Sequence, residues 1–320
     1  PSSVAASVAG NTVKVTIPAE QPGTFSAGNI SVAEVAEDNS LAFNNINAFL
    51  CVQLVSDEVT KIHVKSVGGH VLVGTVPVTF TDKGAEFSAA EGTASEVTMA
   101  AGKKGHYYIS IVPGVTHNGG LLFTYYKGEE VSGTYFFDKN LSVVANKIYN
   151  FGEFEPDGNY YVSVDGAGKK NGVSAANAMP VAKMTTLLQK STADASALAA
   201  VNGAVFHFAA GEYELAEQAL NLSYTGEPVK LTFKAEGEVA FSGNDAHTIM
   251  AINGADVTLE GITITKSVAK ETLTGAFKVS GANSKLTLKG CSVIENDVEG
   301  DKILCSCFAL SEGASLTATD

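Results

Sequence analysis

The chain has 320 residues with 34 acidic and 21 basic side chains, a net charge of −13, and no Arg or Trp, so every basic residue is a lysine. A surface this acidic repels a phosphate backbone, which argues against nucleic acid as a partner. No apolar run approaches the ~20 residues that cross a bilayer as a helix.

With 45% apolar residues, 32 Gly and only 8 Pro, the composition is that of a folded, strand-rich chain long enough for two domains. Residues 1–155 read as short strands punctuated by turns, at 13–17, 48–55, 62–67, 107–112, 121–126, 133–137 and 147–151. Alternating apolar positions separated by Gly, Asn and Asp make a β-sandwich the expected architecture, with no helix required. EPDGN at 155–159 is the expected linker, which sets the domains at 1–155 and 156–320.

The second domain opens with an extended stretch, 160–180. Val181, Met184, Leu187 and Leu188 follow at helical spacing, which predicts an amphipathic helix acting as a lid over the first strands. Beyond it the chain repeats. VTLEGITI (257–264) and LTLKGCSV (286–293) are near copies in which apolar and polar residues alternate on either side of one Gly, as two strands joined at a corner require. Phe208, Phe233, Leu259, Leu288 and Ala318 extend one column at separations of 25, 26, 29 and 30 residues, and Leu222, Ile252, Val279 and Leu310 form another just before turns. The expectation is roughly five stacked coils of three strands each, every coil depending on its neighbours. Leu259, Leu288 and Ala318 should then stack inward, with Gly261 and Gly290 at the corners. The acidic insert IENDVEGDKI (294–303) should project from the surface. The last coil stops at the position equivalent to Gly290, so further coils are expected past Asp320.

Few residues point to chemistry. Asp297, Glu299 and Asp301 alternate as calcium-loop carboxylates do, but no EF-hand or nonapeptide repeat accompanies them, and a solvated loop is the reading. Asp165 in VDGAGKKNG is read as a turn residue. The six His, at 63, 70, 106, 117, 207 and 247, lack zinc-site spacing. GAGKKNG (166–172) lacks the order of a phosphate loop, and no G-x-S-x-G elbow occurs. Cys51, Cys291, Cys305 and Cys307 are read as small buried apolar residues rather than a disulfide framework, with 305 and 307 on one strand face. Thr232, Thr258, Thr287 and Thr317 form an outward file, attributed to the strand preference of Thr. The other outward positions assigned are Thr263, Ser292, Ala251, Lys278 and Ala309; none is a carboxylate, and only Glu260, opposite Lys289, lies near such a column. The sequence therefore assigns no catalytic residue, no metal ligand and no cofactor, and it leaves the binding face open.

Two resemblances add to this reading. IPAEQPGTFSAGNISVAE (17–34), LAFNNINAFLCVQL (41–54), GHYYISIVPG (105–114) and NKIYNFGEF (146–154) resemble the fimbrillin-like proteins of anaerobic gut and oral bacteria. That resemblance implies a transthyretin-like β-sandwich, lipoprotein export to the outer membrane and a role in fimbriae or surface adhesion. The lipid-bearing Cys would lie upstream of Pro1, since the first Cys here is Cys51. The opening at 160–180, FHFAAGEY (206–213) and the coil repeat are similar to pectin-lyase-like right-handed parallel β-helices, with the helix at 181–188 as the N-terminal cap. The combined expectation is an all-β, secreted surface protein whose β-helix binds a glycan or surface protein, with other fimbrial subunits as further partners. The bulky second domain fits a tip or accessory position. The competing expectation is a polysaccharide lyase or glycosidase, since many such β-helices cleave acidic polysaccharides. Against it, the Arg base of pectate lyases and the NTD, GDD-like and GHG patterns of polygalacturonases are missing.

Overall fold

The computed structural model describes the chain except for residues 1–5, 10–11, 36, 82–83, 89–90, 155–157, 271–274 and 300–306. It is mostly β, 54% strand and 8% helix, with sandwich-like sheets in the N-terminal part and a β-solenoid of about four turns in the C-terminal part. The chain divides into two compact units, Pro1–Asp157 and Gly158–Asp320. Most of the linker expected at 155–159 lies outside the described residues.

In the first unit, one five-stranded sheet runs in the order Glu130–Phe137, Leu121–Lys127, Lys61–Ser66, Glu96–Ala100, Glu20–Gln21. A second pairs Ala6–Ala9, Thr12–Ile17, Val73–Thr81 and Glu91–Ala94, with Gly84–Phe87 also beside Val73–Thr81. A third places Ala48–Leu54 between Gly105–Ile111 and the closing strand Ile148–Phe154, which runs parallel to it. Val15, Ile17, Leu50, Ile62, Val76, Met99, Ile109 and Phe123 fill the interior. The buried Asn47 is fully paired: it accepts from the Ile30 N–H at 3.1 Å and donates to Gly28 O at 3.0 Å and Ser110 Oγ at 2.7 Å. That spares the desolvation cost an unpaired buried amide would carry. The seven expected strands are present with shifted ends, and sequence reasoning missed others. In Val73–Thr81, Val76 and Val78 stand two apart and are buried, but Gly74 and Pro77 hide the strand. Pro77 is tolerated because that edge is shared by two strands, one pairing up to Thr75 and the other from Val78, which leaves Pro77 in the gap. The hairpin of Ser31–Val35 and Leu41–Asn45 was also missed; it exposes Val35, Leu41 and Phe43. A single helical turn, Phe25–Gly28, occurs where no helix was expected.

In the second unit, parallel strands stack in the register the repeat predicted. Phe233 pairs with Leu259, Leu259 with Leu288 and Leu288 with Ala318. Leu222, Ile252, Val279 and Leu310 form the second column. Gly261 and Gly290 turn the corners at φ +69° and +57°, a region Gly adopts without steric cost. Two expectations need correction. Phe206, not Phe208, pairs with Phe233, and Phe208 pairs with Ala235; both Phe of FHF point inward, so spacing alone allowed a slip of two residues. The stack makes about four turns where roughly five were expected: among the described residues the long sheet has five rungs from Ala204–Phe208 to Ser315–Thr319, but the second column has four strands. Tyr160, Phe206 and Phe233 stack ring on ring at 5.1 and 5.6 Å.

The lid is the helix Val181–Ser191, whose Met184 and Leu188 are fully buried in the solenoid core while Val181 and Leu187 pack at its edge. A second helix, Ala195–Val201, was not foreseen. Its signal was Asp194, whose carboxylate accepts from the N–H groups of Ser196 (2.8 Å) and Ala197 (3.1 Å). The acidic insert is not a free loop over its first half. Asp297–Val298 pairs in parallel with Val268–Ala269. Asn296 anchors it, accepting from Ser267 N and Oγ and donating to Ile264 O and Ile294 O. Asp301 and Cys305 lie outside the described residues.

Candidate functional site

The outer face of the longest solenoid sheet is built from three files. The central file runs Val205, Thr232, Thr258, Thr287, Thr317. On one side Lys230, Asp256 and Lys285 follow one another, and on the other Lys234, Glu260 and Lys289. Opposite charges therefore alternate from rung to rung, as in the bond from Lys289 Nζ to Glu260 Oε1 at 2.9 Å. Cross-strand pairs of this kind stabilise a sheet by a few tenths of a kcal/mol to ~1 kcal/mol, and the two files together hold four lysines and two carboxylates.

At the capped end the same face carries a different arrangement. The third file continues upward from Lys234 to His207 and Tyr161. The His207 and Tyr161 rings stack at 5.0 Å and 18°. His207 donates from Nδ1 to Glu236 Oε1 at 2.7 Å, and its Nε2 lies 2.7 Å from Asn159 Oδ1. Lys234 Nζ lies 3.3 Å from the same Glu236 oxygen. The His207 hydrogen bond, helped by Lys234, holds the Glu236 carboxyl below the usual glutamate range. Beside this cluster is a cleft of about 400 Å³ lined by Tyr161, Val162, Ala175, Ala178, His207, Ala209, Ala210 and Glu236.

Sequence reasoning missed Glu236 for an identifiable reason. Between Lys234 and Val239 the ladder slips: four residues, 235–238, occupy the corner that Gly261 turns alone in the next coil. Aligning coil on coil skips this insertion, so the outward positions were read as free of carboxylates. The stretch GAGKKNG, rejected as a phosphate loop, supports the cleft. Gly166, Gly168, Lys170 and Gly172 all have positive φ. Ala167 N–H donates to Ala178 O, Lys169 N–H to Asn177 Oδ1 and Gly172 N–H to Asn177 O. Those bonds fix the segment bearing Ala175 and Ala178, so the cleft wall is preformed.

A second cleft, of about 600 Å³, lies between the lid helix and the segment 214–221, lined by Thr185, Gln189, Glu214, Glu217, Gln218 and Asn221 among others. His247 Nε2 lies 3.1 Å from Glu214 Oε1 beside it. The remaining His are placed as follows: His63 pairs with Glu96 at 3.3 Å, His106 lies by Cys51, and His70 meets His117 edge to face. His117 is fully buried, its Nδ1 2.9 Å from Ser66 Oγ, and burial pulls its pKa down to about 4. Cys51 is buried as expected, whereas Cys291 and Cys307 are only half-buried; Cys291 follows the corner at Gly290, where the side chain sits partly outside the column. Among the described residues, no group of three or more His, Cys, Asp or Glu is placed to hold a metal ion. No helix among them is long and apolar enough to cross a membrane.

No family model and no curated protein matches this chain. Two solved structures are similar to parts of it. A putative cell adhesion protein from Bacteroides ovatus shares 14% identity at a TM-score of 0.29, over 45% of this chain and 62% of that one. A putative cell adhesion protein from Bacteroides uniformis shares 13% at 0.25, over 44% of this chain and 66% of that one. The match spans less than two thirds of either protein, and a likeness this remote carries no argument about fold or function.

Proposed function

We propose that this chain is a cell-surface adhesion protein: a fimbrillin-like sandwich, residues 1–155, carries a pectin-lyase-like solenoid, residues 156–320, that binds a glycan or a surface protein. The observation that carries the reading is the preformed cleft at His207 and Glu236, set on a stack of hydrogen-bonded coils. Rigid concave sites of this size, apolar with a few fixed polar groups, are the usual form of a binding pocket. The exposed apolar face of Val35, Leu41 and Phe43 supports contact with a further protein, such as another fimbrial subunit. Attachment to the outer membrane through a lipid upstream of Pro1, and a tip or accessory place in a fimbria, complete the proposal.

Polysaccharide cleavage is the second reading, and the His207–Glu236 pair is the observation in its favour. Glycosidases place a second carboxyl ~5 to 9.5 Å away across the scissile bond, and the cleft lining contains only Glu236. Beads coated with the full chain test the first reading against extracts and whole surfaces of bacterial and host cells. Saturable retention is expected; beads that wash off like uncoated ones on every surface overturn it.

A further inference from the structure

We propose that the cleft beside His207 and Glu236 takes a single neutral sugar residue at the end of a glycan, with Glu236 accepting its hydroxyl hydrogens and the alanine wall meeting its C–H face. This rests on the recognition reading above and gives it a ligand class.

The argument starts from the carboxylate. His207 and Lys234 both engage Oε1 of Glu236, and no hydrogen bond to its Oε2 is formed among the described residues. Oε1 is thus used to fix the group, which leaves Oε2 as its open oxygen, on a side chain that is 45% exposed and lines the cleft. His207 is itself held between Glu236 and Asn159 and stacked on Tyr161. The open oxygen therefore belongs to a pre-oriented, ionised acceptor, which favours a ligand with hydrogen-bond donors at little entropic cost. The rest of the lining, Val162, Ala175, Ala178, Ala209 and Ala210, offers no donor or acceptor side chain. A ligand that fits must carry hydroxyl or N–H donors on one side and bare C–H groups on the other. A cleft of about 400 Å³ sits at the small end of ligand pockets, which suits one ring rather than a chain of them.

Charge then chooses among donors. An anionic ring such as a uronic acid would bring its carboxylate toward Glu236. A cationic group would sit beside Lys234, whose ammonium already neutralises that carboxylate. A neutral polyhydroxyl ring meets neither penalty. The inserted corner 235–238 is what creates the site, since the coil below turns on Gly261 alone and its neighbouring carboxylate, Glu260, is bonded to Lys289.

Saturation-transfer NMR on the full chain tests this with a panel of methyl β-galactoside, methyl β-glucoside, methyl α-mannoside and methyl N-acetyl-β-glucosaminide, against sodium glucuronate and Nα-acetyl-lysine methylamide. At least one neutral glycoside should bind saturably, with both charged probes at least about 10-fold weaker. Glu236→Ala should weaken the neutral ligand about 10-fold or more, as loss of a charge-assisted hydrogen bond does. Glu236 is exposed enough, 45%, for this variant to fold, and matching circular-dichroism melts check it. Glu217→Ala, in the other cleft, should change nothing. Silence from all four glycosides, unchanged binding by Glu236→Ala, or glucuronate binding as well as the neutral sugars overturns the proposal. The bead assay separates the two levels: beads that still adhere while the glycosides are silent place recognition elsewhere, whereas wild-type beads that fail to adhere overturn the adhesion reading itself.

Discussion

The sandwich and the solenoid are both nearly all strand, yet they tie the chain together over different distances. In the sandwich, Ala48–Leu54 is flanked by Gly105–Ile111 and Ile148–Phe154, so Phe49 finds Ser110 and Ile148 as its partners. In the solenoid, Thr258 pairs with Thr232 on one side and Thr287 on the other, one coil away each time. The first arrangement closes only when distant segments meet. The second grows by nearest neighbours, so a defect should be felt mainly in the adjoining coils.

The largest expected effect tests that locality. Phe233 is fully buried and its ring meets Phe206, Phe208 and Phe241. Phe233→Ala should cost about 3 to 5 kcal/mol. Hydrogen exchange should show protection falling most in Ala204–Phe208, Val229–Ser242 and Ala255–Thr265, with the last rung, Ser315–Thr319, less affected. An even loss across the whole solenoid would mean the coils do not act as nearest neighbours.

The next effect separates the units by pH. His117, in the sandwich, is buried and held neutral, its pKa about 4 in the fold against 6.5 in the unfolded chain. The unfolded chain binds more protons between those values, so stability is full above pH 6.5 and is lost as pH falls toward 4, by roughly 3 kcal/mol. In the solenoid, His207 and His247 instead face carboxylates. Urea unfolding across that range should show the sandwich weakening, and His117→Gln should flatten the dependence. An equal slope in the variant would assign the loss to other groups.

Smaller effects probe the solenoid's corners and cap. Gly261 has φ +69° and an added Cβ would meet only the Ala235 Cβ at 3.5 Å, so Gly261→Ala should cost about 1 to 2 kcal/mol from backbone conformation alone. At Gly254 an added Cβ would collide with the Tyr224 carbonyl, and thermal melts should rank Gly254→Ala below Gly261→Ala. Asp194→Ala should cost about 1 kcal/mol by freeing two N–H groups of the second helix, visible as a small drop in melting temperature.

How much could be read from the sequence follows the same division. The coil register was legible because each rung repeats one burial pattern about 27 to 31 residues on. The slip at Phe208 shows the limit, since period-two alternation cannot distinguish registers two residues apart. In the sandwich the strands were visible but their partners were not; nothing local tells Ala48–Leu54 that it will lie beside Ile148–Phe154. The cleft was the least legible part. Glu236 stands on an insertion that breaks the repeat, and its meaning depends on His207, Asn159 and Lys234, which come together only once the coils stack.

The central claim is recognition without turnover. The most direct measurement is to load immobilised full-length chain with a defined glycan that it retains, elute after prolonged incubation, and weigh the recovered material by mass spectrometry. The account predicts intact glycan at its starting mass, with retention lowered by Glu236→Ala. Shortened or unsaturated products, absent when Glu236→Ala is used, would contradict it and make the cleft a catalytic site.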